Sequence, residues 1–116
     1  LSGIVKNMSG CIFNFHCPPY DTILDTDPLL DETLKAVTVN GAIMETNVGS
    51  TAVLNVIKKY QPLMSLHGHI HESRGDCKIG RTTCINPGSE YSLGVLRGVV
   101  AFLGKDKIKN YVLTAG

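Results

Sequence analysis

The sequence predicts an α/β fold built on a mixed sheet that ends in an antiparallel hairpin, and three observations support this prediction. A helical pattern at 50–61 is followed by a proline and then by a short apolar strand at 63–66. A helix joined to a strand in this way is typical of a crossover unit in an α/β sheet. The apolar, aromatic segment 10–15 indicates a second buried strand, and the tail at 95–113 indicates a hairpin.

The segments before the helix are short. Segment 10–15 (GCIFNF) is bounded by glycine and, a few residues later, by two prolines that cannot enter a central strand. A solvated loop is expected next, because the spacing of Asp21, Asp25 and Asp27 does not fit a calcium-binding loop. Asp27 and Pro28 then indicate the start of a short helix whose apolar side would carry Leu29, Leu30 and Leu34. A strand at 36–39 and an Asn40-Gly41 turn follow.

The helix at 50–61 is the clearest element. Ser50 precedes it as an N-cap, and Pro62 ends it. Lys58 and Lys59 lie in its last turn, where positive charge suits the helix dipole. Its apolar face repeats at helical spacing through Val53, Leu54, Val56, Ile57 and Tyr60.

Short strands punctuated by glycine are expected after the helix, at 77–79 and 82–85. The tail then carries two apolar runs, 95–103 and 108–113, separated by Gly104-Lys105-Asp106. Two strand-like runs joined by a short glycine-containing connection predict a β-hairpin.

Composition excludes several classes of protein. The chain has 43% hydrophobic residues and a formal charge of +1, with 11 basic and 10 acidic residues and no basic block. We therefore expect a packed domain without a nucleic-acid interface. No apolar stretch approaches the ~20 residues of a membrane-spanning helix, and no secretory signal is visible. The spacing of the four cysteines does not fit a zinc site, so we expect free thiols and a cytoplasmic location.

All four histidines lie in two places, His16 and the run 66–71 (LHGHIH). If that run continues a strand, His67, His69 and His71 share one face, and Gly68 allows the backbone to bend. Ligands of open α/β sheets gather at strand ends, so His16 and the later run are expected at the same edge. Metal binding is favoured for the His69/His71 pair. A satisfied core residue is favoured for His67, and His16 alone supports either role.

Three motifs resemble one family. Gly68-His69-Ile70-His71 resembles the GHxH signature of the calcineurin-like metallophosphoesterases. The segment 14–20 (NFHCPPY) is similar to the family's upstream strand that ends in a ligand histidine, and 86–89 (NPGS) resembles a turn found in its phosphodiesterase-like branch. The order of the motifs, with a helix and strand before the signature, strengthens the resemblance, which covers most of the chain.

The resemblance implies the C-terminal half of a four-layer α/β/β/α sandwich. His16 and His69 would bind one divalent ion and His71 the other, and the three histidines would be the catalytic residues of this chain. The two ions, from among Mn, Fe, Zn and Ni, would share a bridging water or hydroxide and hydrolyse phosphate mono- or diesters. Arg74 and Asn86 are candidate substrate contacts, although solvated surface is the more common role for such an arginine.

The sequence departs from the family in one respect. The Asp-x-His and Asn-His motifs of the family's first half do not occur in it. Residues 1–116 are therefore expected to form a single partial domain that is inactive in isolation and self-associates through the face left open. The same residues are also compatible with two other classes of protein: a non-catalytic scaffold that keeps the fold, and a small zinc domain that uses His and Cys ligands.

Overall fold

The computed structural model describes residues 8–28, 33, 35, 37–71, 73–89, 93–105 and 107–116. Within these residues the chain forms one helix and ten strands. In chain order they are β1 (Ile12–Asn14), β2 (Thr26–Pro28), β3 (Thr38–Val39), β4 (Ala42–Ile43), β5 (Glu45–Asn47), α1 (Thr51–Tyr60), β6 (Met64–Leu66), β7 (Gly75–Ile79), β8 (Thr82–Asn86), β9 (Arg97–Gly104) and β10 (Lys107–Ala115).

A four-stranded mixed sheet forms the centre of the fold. Its strand order is β1-β6-β8-β7, in which β1, β6 and β8 run parallel and β7 runs antiparallel to β8. All five residues of β8 are buried. The parallel pairing of β1 with β6 brings the carboxyl ends of these two strands to the same edge.

Helix α1 covers one face of this sheet. Ser50 accepts a hydrogen bond from the Val53 amide at 3.2 Å, and Gln61 ends the helix in a left-handed conformation with φ of 46°. The buried Ile57 packs in a core cluster with side chains from β7, β8 and the loop before β2; the cluster contains Leu24, Ile57, Cys84, Val53, Cys77 and Ile79. The helix predicted at 50–61 is therefore confirmed, with its cap and its apolar face.

The predicted fold class is wrong. An α/β/β/α sandwich needs helices on both outer layers, whereas the described residues contain one ten-residue helix and are otherwise dominated by strands. The helix expected to start at Asp27 is also wrong at its start, because Thr26–Pro28 is a strand paired with β5. The leucines assigned to that helix lie outside the described residues.

The tail forms the predicted hairpin, with β9 antiparallel to β10 and an irregularity in register between Ile108 and Asn110. The Tyr111 hydroxyl donates a hydrogen bond to the Asp76 carboxylate of β7, which ties the hairpin to the central sheet. The opposite face of the hairpin exposes apolar side chains, namely Val100, Phe102 and Val112. In the part of the chain described, no helix is long and apolar enough to cross a membrane.

Candidate metal centre

His16 and His69 lie at the edge where β1 and β6 end. Asn14 pairs with Leu66 at the last register position of the two strands, and the Phe15 amide donates to the Leu66 carbonyl at 2.9 Å. His16 follows this contact by one residue, and His69 follows β6 by three. The sheet thus brings together two histidines that are 53 positions apart.

The two imidazole rings are in direct contact. Nδ1 of His69 lies 3.1 Å from Nε2 of His16, the ring centroids are 4.9 Å apart, and the planes cross at 62°. Both side chains are exposed. The prediction that these two residues meet at one strand edge is confirmed.

This separation fits a shared metal ion. Two nitrogens bound to one ion at about 2.0–2.1 Å lie about 2.9–3.4 Å apart when the ligand angle is about 90–110°. The observed 3.1 Å between His16 and His69 falls within that range. Both nitrogens must be without a hydrogen when they bind the ion, so metal binding would replace the contact between the rings and release any proton held there.

The backbone of the Gly68–His69 segment turns sharply. His69 has φ of 68°, in the left-handed region that non-glycine residues seldom adopt. The turn is held by the Gly68 amide, which donates to the His16 carbonyl at 3.1 Å, and by the Ile70 amide, which donates to the Gly68 carbonyl at 2.8 Å. Backbone strain of this kind is concentrated at functional sites.

This turn corrects one expectation. The strand ends at Leu66, so His67, His69 and His71 do not share a face: His67 is buried, whereas His69 and His71 are exposed. Among the described residues, no group of three or more His, Cys, Asp or Glu side chains is placed to hold one ion. The structure therefore brings together two of the three predicted ligands, His16 and His69, and His71 is exposed two residues further along the chain.

The turn at 86–89 holds the segment that contains the histidines. Asn86 is buried, and its amide donates to the Ile70 carbonyl at 2.8 Å while its side-chain oxygen accepts from the Gly88 amide at 2.9 Å. The Ser89 amide donates to the His71 carbonyl at 3.3 Å. A Cβ at Gly88 would lie only 2.9 Å from the Arg74 Cβ, so the exposed Arg74 borders the same turn.

His67 is a satisfied core residue, as predicted. Its exposed fraction is 4%, and its two ring nitrogens contact the Ser65 hydroxyl at 2.7 Å and the Cys17 carbonyl at 3.0 Å. Burial lowers the pKa of His67, and the hydrogen bond to the Cys17 carbonyl opposes this shift. Burial therefore favours the neutral form of the ring.

Asp25 is the important residue that the sequence did not reveal. The sequence predicts a solvated loop here, but Asp25 is completely buried. Its carboxylate accepts hydrogen bonds from the backbone amides of Asp21, Thr22 and Gly49 at 2.9–3.0 Å. Aspartate commonly closes local turns by accepting hydrogen bonds from nearby backbone amides, and this tendency is the one feature of the sequence that could have indicated the role of Asp25. Asp25 ties the loop after His16 to the residues that precede α1.

Comparison with known proteins does not indicate a function for this chain. The chain is 33% identical over 89 residues to an uncharacterized protein of Methanocaldococcus jannaschii. The match covers 75% of this chain but 35% of that protein, so the chain spans about a third of the curated relative it matches. No family model and no solved structure matches the sequence. Function must therefore be argued from the site itself.

Proposed function

We propose that the chain contributes histidine ligands to a metal centre that hydrolyses phosphate mono- or diesters, with His16 and His69 binding one ion. The single observation that carries this proposal is the 3.1 Å separation of their ring nitrogens at the edge where two parallel strands end. Ligand sites of sheets with parallel strands commonly lie outside the carboxyl ends of the strands.

The chemistry of the donors supports a transition metal. Neutral imidazole suits Zn, Mn, Fe and Ni, and both rings are accessible from solvent. Divalent ions in such a centre supply Lewis-acid polarisation of the phosphoryl group and lower the pKa of the attacking water. The contribution of this chain is to hold the two imidazoles at a fixed separation on one rim.

The other predicted residues have separate roles in the proposal. His71 would bind the second ion, together with ligands from outside the described residues. Arg74 is exposed beside the 86–89 turn, so its guanidinium is available to pair with phosphate oxygens. Asn86 is buried with its amide bonded to backbone, and this favours a role in holding the segment 69–71 over direct contact with substrate.

A second candidate function is a binding module that retains no catalysis. The observation in its favour is that two histidines, and no third His, Cys, Asp or Glu in the described ranges, converge on one ion position. Two protein ligands bind an ion weakly and leave most of its coordination to water. As to location, none of Cys11, Cys17, Cys77 and Cys84 forms a disulfide, and this favours a reducing compartment such as the cytoplasm.

The test uses the intact protein as the cell makes it, purified without added metal. Metal content is measured by elemental analysis, and hydrolysis is followed with p-nitrophenyl phosphate and bis(p-nitrophenyl) phosphate in the presence of Mn²⁺. The variant is His69→Asn, because asparagine tolerates the left-handed backbone at this position. Asn55→Ala, an exposed position on α1, is the matched control.

Two ions per chain, with hydrolysis that is lost in His69→Asn and kept in Asn55→Ala, is the expected result. Retention of full activity by His69→Asn would refute the assignment of this ligand. Absence of both metal and hydrolysis in the intact protein would favour the binding module, and one tightly bound zinc with cysteine ligands would identify a zinc domain instead.

A further inference from the structure

The buried His67 connects the two segments that carry the proposed ligands. It follows β6 directly, and its Nε2 lies 2.7 Å from the Ser65 hydroxyl within the same segment. Its Nδ1 lies 3.0 Å from the carbonyl oxygen of Cys17, the residue after His16. The ring also stacks on Phe15, with the centroids 6.1 Å apart and the planes 12° from parallel. His67 therefore contacts the residues on both sides of His16.

The hydrogen positions in this arrangement follow from the partners. A carbonyl oxygen can only accept, so Nδ1 of His67 carries the hydrogen that is donated to Cys17. In the neutral ring Nε2 then has a lone pair, and the Ser65 hydroxyl donates to it. Both ring nitrogens are used, and the Cys17 carbonyl sets which one carries the hydrogen.

The other attachments of this region are made by backbone groups: the His16 carbonyl accepts from the Gly68 amide at 3.1 Å, and the Tyr20 amide donates to the Ser50 carbonyl at 3.2 Å. Pro18 and Pro19 follow Cys17 and have no backbone N–H, so this stretch is held mainly through its carbonyl oxygens. The Pro18 carbonyl accepts from the Ser50 amide at 2.9 Å, and the Pro19 carbonyl accepts from the Thr22 hydroxyl at 2.9 Å. Of these three successive carbonyls, the one next to His16 is held by His67.

We propose that His67 is a positioning residue: by holding the Cys17 carbonyl against β6, it sets the separation of the His16 and His69 rings. The effect of His67 on metal binding rests on the proposed function, in which His16 and His69 bind one ion. Binding sites tolerate displacements of only about 0.5 Å before ligand geometry is lost. A hydrogen bond one residue from His16 is close enough to control its ring at that scale.

The experiment compares three variants in the intact protein. His67→Leu removes both hydrogen bonds of the ring. His67→Asn keeps a donor at the position of Nδ1, because its side-chain amide nitrogen is the same number of bonds from the backbone, and it loses the contact with Ser65 and the stacking on Phe15. Thr82→Val is the matched control: it removes one buried hydrogen bond, from the Thr82 hydroxyl to the Pro62 carbonyl at 2.7 Å, near the opposite ends of the strands.

Two quantities are measured. In the metal-free protein, nuclear Overhauser contacts between the ring protons of His16 and His69 report their separation without any ligand. With metal, a Co²⁺ titration followed by visible absorption gives the affinity. We expect His67→Leu to lose the ring contacts and to weaken Co²⁺ binding by about 10- to 100-fold, as for other residues that orient metal ligands. His67→Asn should retain the ring contacts and most of the affinity, and Thr82→Val should retain both.

Ring contacts that persist unchanged in His67→Leu would overturn the inference, whatever the metal titration gives. If the ring contacts behave as expected but the wild-type protein binds no Co²⁺, the positioning role stands and the proposed metal function fails. If His67→Leu does not fold, His67→Gln replaces it, because its side-chain amide is the same number of bonds from the backbone as Nε2 and therefore loses the donor to the Cys17 carbonyl while it keeps a partner for Ser65. Ring contacts and Co²⁺ affinity in His67→Gln equal to those of Thr82→Val would then overturn the inference.

Discussion

Gly49 lies where the loop after His16 meets the residues before α1, and its replacement by alanine tests that junction. A Cβ at Gly49 would lie 2.7 Å from the carbonyl oxygens of both Pro18 and Pro19 and 2.8 Å from the Asp25 Cβ. None of these atoms is the end of a flexible side chain, so the backbone itself must move. Overpacking of this kind costs about 1–3 kcal/mol.

The displacement has a second cost. The Gly49 amide donates to the buried Asp25 carboxylate at 3.0 Å, and a shift of the backbone would leave that carboxylate without one of its three donors. A buried group that loses its partner costs about 1–3 kcal/mol. Together the two effects predict that Gly49→Ala lowers the free energy of unfolding by about 3 kcal/mol.

The assay is urea unfolding followed by circular dichroism. With a slope of about 2 kcal/mol per M, the midpoint should fall by about 1.5 M. Gly75→Ala is the control, because its Cβ would meet only the flexible Ile23 Cδ1 at 3.4 Å. If the midpoint of Gly49→Ala is within about 0.3 M of the control, on the same slope of about 2 kcal/mol per M, the steric reasoning is refuted.

Three further predictions concern backbone strain and acidity. His69→Gly should be more stable than His69→Ala by about 1 kcal/mol in urea unfolding, because glycine accepts a φ of 68° without strain; equal stabilities would contradict the left-handed backbone. The hydrogen bond to Asp76 raises the pKa of Tyr111 above its usual 10.0, so its contribution to stability is present below pH 10.0 and is lost as the pH rises further. Ultraviolet titration of the phenol should therefore give a lower pKa for Tyr111 in Asp76→Asn, and an unchanged value would count against the bond. The side-chain contact between Cys77 and Cys84 lowers the pKa of Cys77, and the same contact together with burial raises the pKa of Cys84. Mass spectrometry after brief iodoacetamide treatment should find Cys77 alkylated before Cys84, and Cys84→Ala should slow that reaction; the reverse order would disprove the pairing.

Local patterns predicted the elements whose stability comes from nearby residues. The Ser50 cap, the apolar face of α1 and the break at Pro62 are all encoded within a dozen positions, and the helix occurs where they indicated. The strand at 64–66 and the tail hairpin follow from equally local signals. Their pairing partners were not encoded locally, because pairing depends on which apolar faces meet after collapse.

The candidate site was predicted only in part, because its strand ends have local signals whereas its contacts depend on pairing between distant segments. Strand ends marked His16 and His69, and parallel pairing of β1 with β6 brings them into contact. The orientation of the 67–71 segment was predicted wrongly, because alternation along a strand was assumed to continue past Leu66. Gly68 and the left-handed His69 end that alternation, so His67 stays on the buried side with Ser65 while His69 and His71 are exposed.

The sequence alone determined where the helix, the short strands and the candidate ligands lie along the chain, since each depends on side chains that are close by in the sequence; β1, however, is exposed at Ile12 and Asn14 and not buried throughout as predicted. Only the tertiary structure decided the fold class, the burial of Asp25 and the contacts of His67. The burial of Asp25 and the contacts of His67 depend on hydrogen bonds between distant residues, such as Gly49 to Asp25 and His67 to Cys17, which are 24 and 50 positions apart. A buried polar group must find a partner wherever the chain offers one, and that choice is made only when distant segments pack together.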